Sequence, residues 1–191
     1  MSFKIVGMLV GFFLLASVFA SSFVAAGDVI LKTAPAQNVW RADGVTEYRV
    51  DVYADNTGLN GESTRGIEWA LVAPSALAPY LSMTRAEWPV SGDFFAGYST
   101  FWSSLGLNWN LHGKLVSGSG PSNRQGVVAS YWFKVSTAAP VGWNSFSVND
   151  VNAYSPSLDT QPLSVQHEDF KIIGPRMKDV SLSSGCSGPS C

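Results

Sequence analysis

Near neutral pH, His112, His167 and the fourteen acidic side chains are the groups of this 191-residue chain best suited to move a proton. A nucleophilic site needs a base held beside its nucleophile. His112 sits at the end of the alternating run Leu107-Asn-Trp-Asn-Leu111, and His167 lies among polar residues ahead of Asp169. Both read as surface or turn histidines. The chain has no Gly-x-Ser-x-Gly elbow, no metal-spaced histidine pair and no phosphate loop. Hydrolysis of a glycoside would need two carboxylates brought together by the fold, and no spacing in the chain displays such a pair. Asp150-x-Asn152-x-Tyr154, with Asp159 further on, has a trace of calcium-loop spacing but lacks the loop glycine and the closing glutamate. Asp55, Asn60 and Glu62 are no better ordered, and both groups read as turn residues that bond their own backbone. The expectation is therefore a protein without catalytic residues, bound metal or cofactor.

Aromatic chemistry is the stronger signal. From Phe94 to Gly113 no residue is charged, yet Phe94, Phe95, Tyr98, Phe101, Trp102 and Trp109 fall in that stretch. Flat rings beside Asn and Ser suit a sugar ring or a protein partner, so Tyr98, Phe101, Trp102 and Trp109 are the candidate ligand-binding residues. The plainer reading is a loop folded over an open end of the domain, burying these rings. Cys186 and Cys191, the two cysteines of the chain, stand five residues apart among Gly, Ser and Pro. They are candidates for a local disulfide, or for an attachment between chains, and a bridge closing so short a loop contributes little to stability.

These groups need a scaffold, and strands supply it. Gly126-Val-Val-Ala-Ser-Tyr-Trp-Phe-Lys-Val135 is β-branched and aromatic, too short for a helix and too apolar for an edge. Tyr48, Val50 and Val52 alternate with Glu47, Arg49 and Asp51, as in a strand with one wet face, and Ile67, Trp69 and Leu71 repeat the pattern. Trp40, Trp69 and Trp132 fall at expected core positions. Leu107–Leu111, continued by 114–116, Trp143–Val148, 151–154, Leu163–Gln166 and Asp169–Ile173 are further expected strands, and Asp43-Gly44 marks a tight turn. No helix-length period separates the strands, which rules out a parallel α/β sheet. The expectation is an all-β, jelly-roll-like antiparallel β-sandwich of about eight to ten strands over residues 27–174.

Residues 1–26 read as a secretory signal peptide. Lys4 is the only charge before Asp28, Ile5–Ala20 is apolar, and small-residue exits stand at Val18-x-Ala20 and Val24-x-Ala26. The uncharged stretch is also long enough for an uncleaved anchor, but the Ala and Ser that follow Val18 favour cleavage. Residues 175–191 read as a flexible Ser/Gly-rich tail. With a formal net charge of −2 and no basic cluster, the chain offers nothing to nucleic acid or an anionic membrane.

The order of segments resembles a cohesin domain. Gly126–Val135, then Ala138-Ala-Pro-Val-Gly142, then Phe146-Ser-Val-Asn-Asp-Val151, is similar to that family's second half, in which a strand ending in aromatic-Lys-Val meets a Gly turn and a strand with an Asp-Val pair. Tyr48–Tyr53, Gly66–Val72 and the corner Ala73-Pro-Ser-Ala-Leu77 resemble the first half, although Ala73 replaces the corner's usual aspartate. The resemblance implies a non-catalytic module, secreted or at the cell surface, that binds an extracellular, dockerin-like protein through one sheet face, as cohesins of cellulosomes bind calcium-loaded dockerins. Carbohydrate-binding modules share the jelly-roll architecture, so adhesion to a polysaccharide is the second reading. A structural subunit of a surface layer is the third, motivated by the cysteine tail.

Overall fold

The computed structural model of the chain describes residues 27–36, 38–41, 46–89 and 92–174. The expected signal peptide (1–26), the Asp43-Gly44 turn and the tail with Cys186 and Cys191 lie outside the described residues.

Most of the period-2 patterning becomes strand. In chain order the strands are β1 (Val29–Pro35), β2 (Asn38–Trp40), β3 (Glu47–Asp55), β4 (Gly66–Val72), β5 (Leu81–Glu87), β6 (Thr100–Ser104) and β7 (Leu111–Val116). They continue with β8 (Gln125–Val135), β9 (Gly142–Ser145), β10 (Ser147–Tyr154), β11 (Thr160–Gln161), β12 (Leu163–His167) and β13 (Asp169–Ile173). Single residues divide several of the expected segments. Phe146 separates β9 from β10, Pro162 separates β11 from β12, and Glu168 separates β12 from β13, so the described residues carry thirteen short strands. Pro162 has no N–H to offer a ladder, which fits a break at that point.

A first sheet has the order β12-β1-β3-β8-β5 and a second β11-β10-β4-β7-β6, with a small β2-β13-β9 sheet beside them. β8 is paired on both sides, as its apolar sequence requires. Most pairs are antiparallel, but β1 runs parallel to β12 and β2 parallel to β13. Gly27 donates to the Gly58 carbonyl, beside the start of β8, whereas Arg41 pairs with Ile173 and reaches the Ala139 carbonyl beyond the end of β8. The chain thus enters the domain at one pole and leaves it at the other.

The inner faces of the two large sheets close the core around Leu31, Val50, Val52, Ile67, Trp69, Leu71, Tyr131 and Phe133. Trp69 Nε1 on β4 donates to Tyr131 Oη on β8 at 2.9 Å, a polar tie between the sheets with both residues fully buried. At one pole Trp109, Phe133, Phe146 and Phe170 stack in series, with centroids 5.6, 5.0 and 5.2 Å apart. Two short 3₁₀ turns, Thr57–Leu59 and Ala78–Tyr80, are the helical segments among the described residues. The second is the single turn that Pro79 permits, its proline sitting where no helical N–H is needed.

Three expectations change. Leu107–Asn110 is a bend and not a strand: Asn108 Oδ1 accepts the Asn110 N–H at 3.0 Å, so an asparagine turn wins over the alternation, and the strand begins at Leu111. Trp132 lies on the outer face of the first sheet, half-buried, with the Arg85 guanidinium 3.8 Å from its ring centroid. His112 is buried, not at the surface, because it points between the sheets against Trp69 and Tyr131.

Candidate functional site

Register fixes which side chains share the outer face of the second sheet. Leu111 is opposite Ala70, Gly113 opposite Glu68, and Trp102 opposite Leu115. On the far side of β4, Asn149 faces Ala70, Asn152 faces Glu68 and Tyr154 faces Gly66. The alternate residues His112, Lys114 and Val116 point inward and are buried. Lys114, the one Lys or Arg on β6 and β7, is thereby withdrawn from this face. It pairs with Asp93 at 3.3 Å, with its ammonium above the Trp88 and Phe95 rings.

What the β6–β7 part leaves outside is uncharged and rich in large apolar side chains. Trp102 and Leu111 are 40 % and 44 % exposed, and Phe101, the extra residue at a register shift between β6 and β7, is 71 % exposed. Gly113 is the seat of the indole: a Cβ there would lie 2.9 Å from Trp102 Cζ3, 2.8 Å from Glu68 Cγ and 3.0 Å from the Ile67 carbonyl oxygen. Glu68 is the carboxylate in the middle of the face, and it accepts the Tyr154 hydroxyl at 2.5 Å. That hydrogen bond, helped by partial burial, pushes the Tyr154 phenol up to about 12.

The four candidate residues do not share one place. Phe101 and Trp102 are on β6. Trp109 is in the turn between β6 and β7, 40 % exposed, with one ring face stacked on the core residue Phe133. Tyr98 precedes β6, packs against the core and has the Arg124 guanidinium 5.8 Å above its ring. Leu111 belongs to the face and escaped sequence reasoning, because the run through Leu107 put it in the same strand as Trp109. Its pairing with Ala70 was the missing information.

Several acid–base groups are engaged by neighbouring atoms. His112 Nε2 lies 3.1 Å from the Asn108 carbonyl, which can only accept, so the ring donates from that nitrogen. Burial pushes the imidazole below its ordinary value, partly offset by that carbonyl. Asp51 accepts from Ser130 Oγ and Arg49 at 2.5 Å each, Asp55 accepts from the backbone N–H and hydroxyl of Thr57, and Asp93 accepts the Phe95 N–H. His167 is exposed at the end of β12. Among the described residues no three His, Cys, Asp or Glu side chains are grouped to hold a metal ion. The geometry offers a surface with exposed large apolar side chains and one hydrogen-bonded carboxylate set in it.

Comparison with solved structures places this architecture. The non-cellulosomal cohesin of the hyperthermophilic archaeon Archaeoglobus fulgidus superposes with a TM-score of 0.54 at 11 % identity, over 77 % of this chain and 92 % of that one. The sixth cohesin of Acetivibrio cellulolyticus scaffoldin B, solved with a Cel5 dockerin mutant, gives 0.54 at 13 % identity, over 78 % and 100 %. The third ScaB cohesin of R. flavefaciens, solved with a group 1 dockerin, gives 0.52 at 16 % identity, over 80 % and 98 %. No family model and no curated protein sequence matches the chain. At these identities the shared property is the fold: the described residues form a cohesin-like β-sandwich.

Proposed function

We propose that this chain is a non-catalytic protein-interaction module, secreted or displayed at the cell surface, that captures an extracellular, dockerin-like partner on the outer face of its second sheet. The observation that carries the reading is the charge-poor surface of Phe101, Trp102 and Leu111, held on a paired sheet with Lys114, the one Lys or Arg of β6 and β7, turned inward. Large exposed apolar side chains on one sheet mark a contact surface, and aromatic anchors dominate the energy of such contacts. Two of the structures with the same fold were solved with a dockerin bound, which supports a partner of that class. The apolar leader sequence supports export.

The test is capture from the native exported proteins by the full chain, with and without a calcium chelator, beside a Trp102→Ala variant. A partner retained by the wild type, released by chelator and lost in Trp102→Ala is the expected result. Equal capture by both proteins would remove the second sheet from the reading, and retention on an insoluble polysaccharide in place of a protein would favour an adhesive module.

A further inference from the structure

The first sheet has its own concavity, on its outer face and so on the opposite side of the sandwich from Trp102. It is an open groove of about 860 Å³ that crosses β12, β1, β3 and β8, with Ala34, Tyr53, Gln125, Gly126 and Gln166 among its lining residues. That volume is in the range of small-ligand sites, roughly 300–1,000 Å³. Three inter-strand gaps separate β12 from β8, about 14 Å at ~4.8 Å each. We propose that this groove is a second binding site, for a short neutral saccharide, separate from the partner-binding face.

Charge decides the class of ligand. Both cations on the walls are already neutralised, Lys32 by Glu168 at 2.5 Å and Arg49 by Asp51 at 2.5 Å, and Asp55 is occupied by the backbone and hydroxyl of Thr57. An anionic ligand therefore meets no free cation, and a cationic one meets no free carboxylate on these walls. The polar groups left over are uncharged. Among the described residues no hydrogen bond engages the side-chain amides of Gln125 and Gln166 or the Tyr53 hydroxyl. Planar amides that donate and accept together, flanking a half-buried phenol ring, match vicinal hydroxyls on a ring with an apolar face. Register brings them together: Gln166 faces Lys32, Lys32 faces Tyr53, Tyr53 faces Val127, and Gln125 faces Asp55 one row away.

The test is calorimetric titration of the full chain with cellohexaose, xylohexaose, mannohexaose and, as the anionic arm, hexagalacturonate. At least one neutral hexaose binds, with affinity lowered tenfold or more in both Gln166→Ala and Tyr53→Ala and unchanged in Trp102→Ala. Gln166 is exposed on an edge strand, so its variant keeps the test valid should Tyr53→Ala fail to fold. Absence of binding to every neutral hexaose, binding to hexagalacturonate alone, or undiminished binding in Gln166→Ala would each overturn the proposal. Because protein capture is read separately on Trp102→Ala, failure of one site is distinguishable from failure of the other.

Discussion

Trp102→Ala should weaken capture of the protein partner by a calculable amount. A tryptophan side chain buries up to about 250 Å², and Trp102 leaves 40 % of itself in water. A partner that covers the remainder removes roughly 100 Å² from solvent, worth about 2.5 kcal/mol at ~25 cal/mol/Å². That corresponds to a loss of roughly 60-fold in affinity, from about 1.4 kcal/mol per decade. Surface plasmon resonance with the captured partner immobilised measures it, with melting curves of both proteins to confirm that the variant is folded. Trp143 on β9 is the internal control. It is 67 % exposed, more than Trp102, so a generally adhesive protein would suffer more from Trp143→Ala. Specific docking on the second sheet leaves Trp143→Ala at wild-type affinity. The reasoning is refuted if the two variants lose affinity equally, or if Trp102→Ala changes it by less than about threefold.

Three further outcomes follow from the geometry. Tyr131→Phe strands the buried Trp69 Nε1–H without its acceptor and should cost about 1–3 kcal/mol; urea unfolding checks it, and a Trp69→Phe/Tyr131→Phe cycle with no coupling would contradict it. Gly120 sits at φ +78° with the Thr64 carbonyl against the place a Cβ would take, so Gly120→Ala should lose at least about 1–2 kcal/mol and lower the melting temperature. Tyr154, held up to about 12 by Glu68, has its folded-state value above its unfolded one. Its contribution to stability is therefore complete below the ordinary phenol range near 10 and is lost as pH rises from there through about 12. In Glu68→Gln the phenolate absorbance should appear at lower pH, and an unmoved titration would show that the hydrogen bond does not set it.

The parts of the fold visible in the sequence are those where burial and period agree. β3 and β4 alternate cleanly, with Val50, Val52, Ile67, Trp69 and Leu71 inside as the pattern demands. β8 was legible as a doubly paired strand, but its unbroken apolar run hid which residues face outward. The register shift near Val52 and Tyr53 leaves Trp132 outside under Arg85, where only the neighbouring β5 explains its comfort. β6 was invisible because all five of its residues are exposed, so no hydrophobic period exists to betray it; it is a strand because β7 pairs with it. The aromatic segment announced itself through its lack of charge. The division of labour within it, Trp109 packing on Phe133 while Trp102 faces water, depends on a contact between residues 24 apart in sequence, and no local pattern encodes that.

The two parallel pairings have a mechanical meaning. Tension applied between Gly27 and Gly174 acts on opposite poles, so β1 is drawn lengthwise past β12, and β2 past β13, in shear. The five residue pairs of the β1–β12 ladder then share the load rather than peeling one at a time. The body of the sandwich, with an eleven-residue β8 about 36 Å long at ~3.3 Å per residue, becomes a stiff link that can hold on while being pulled.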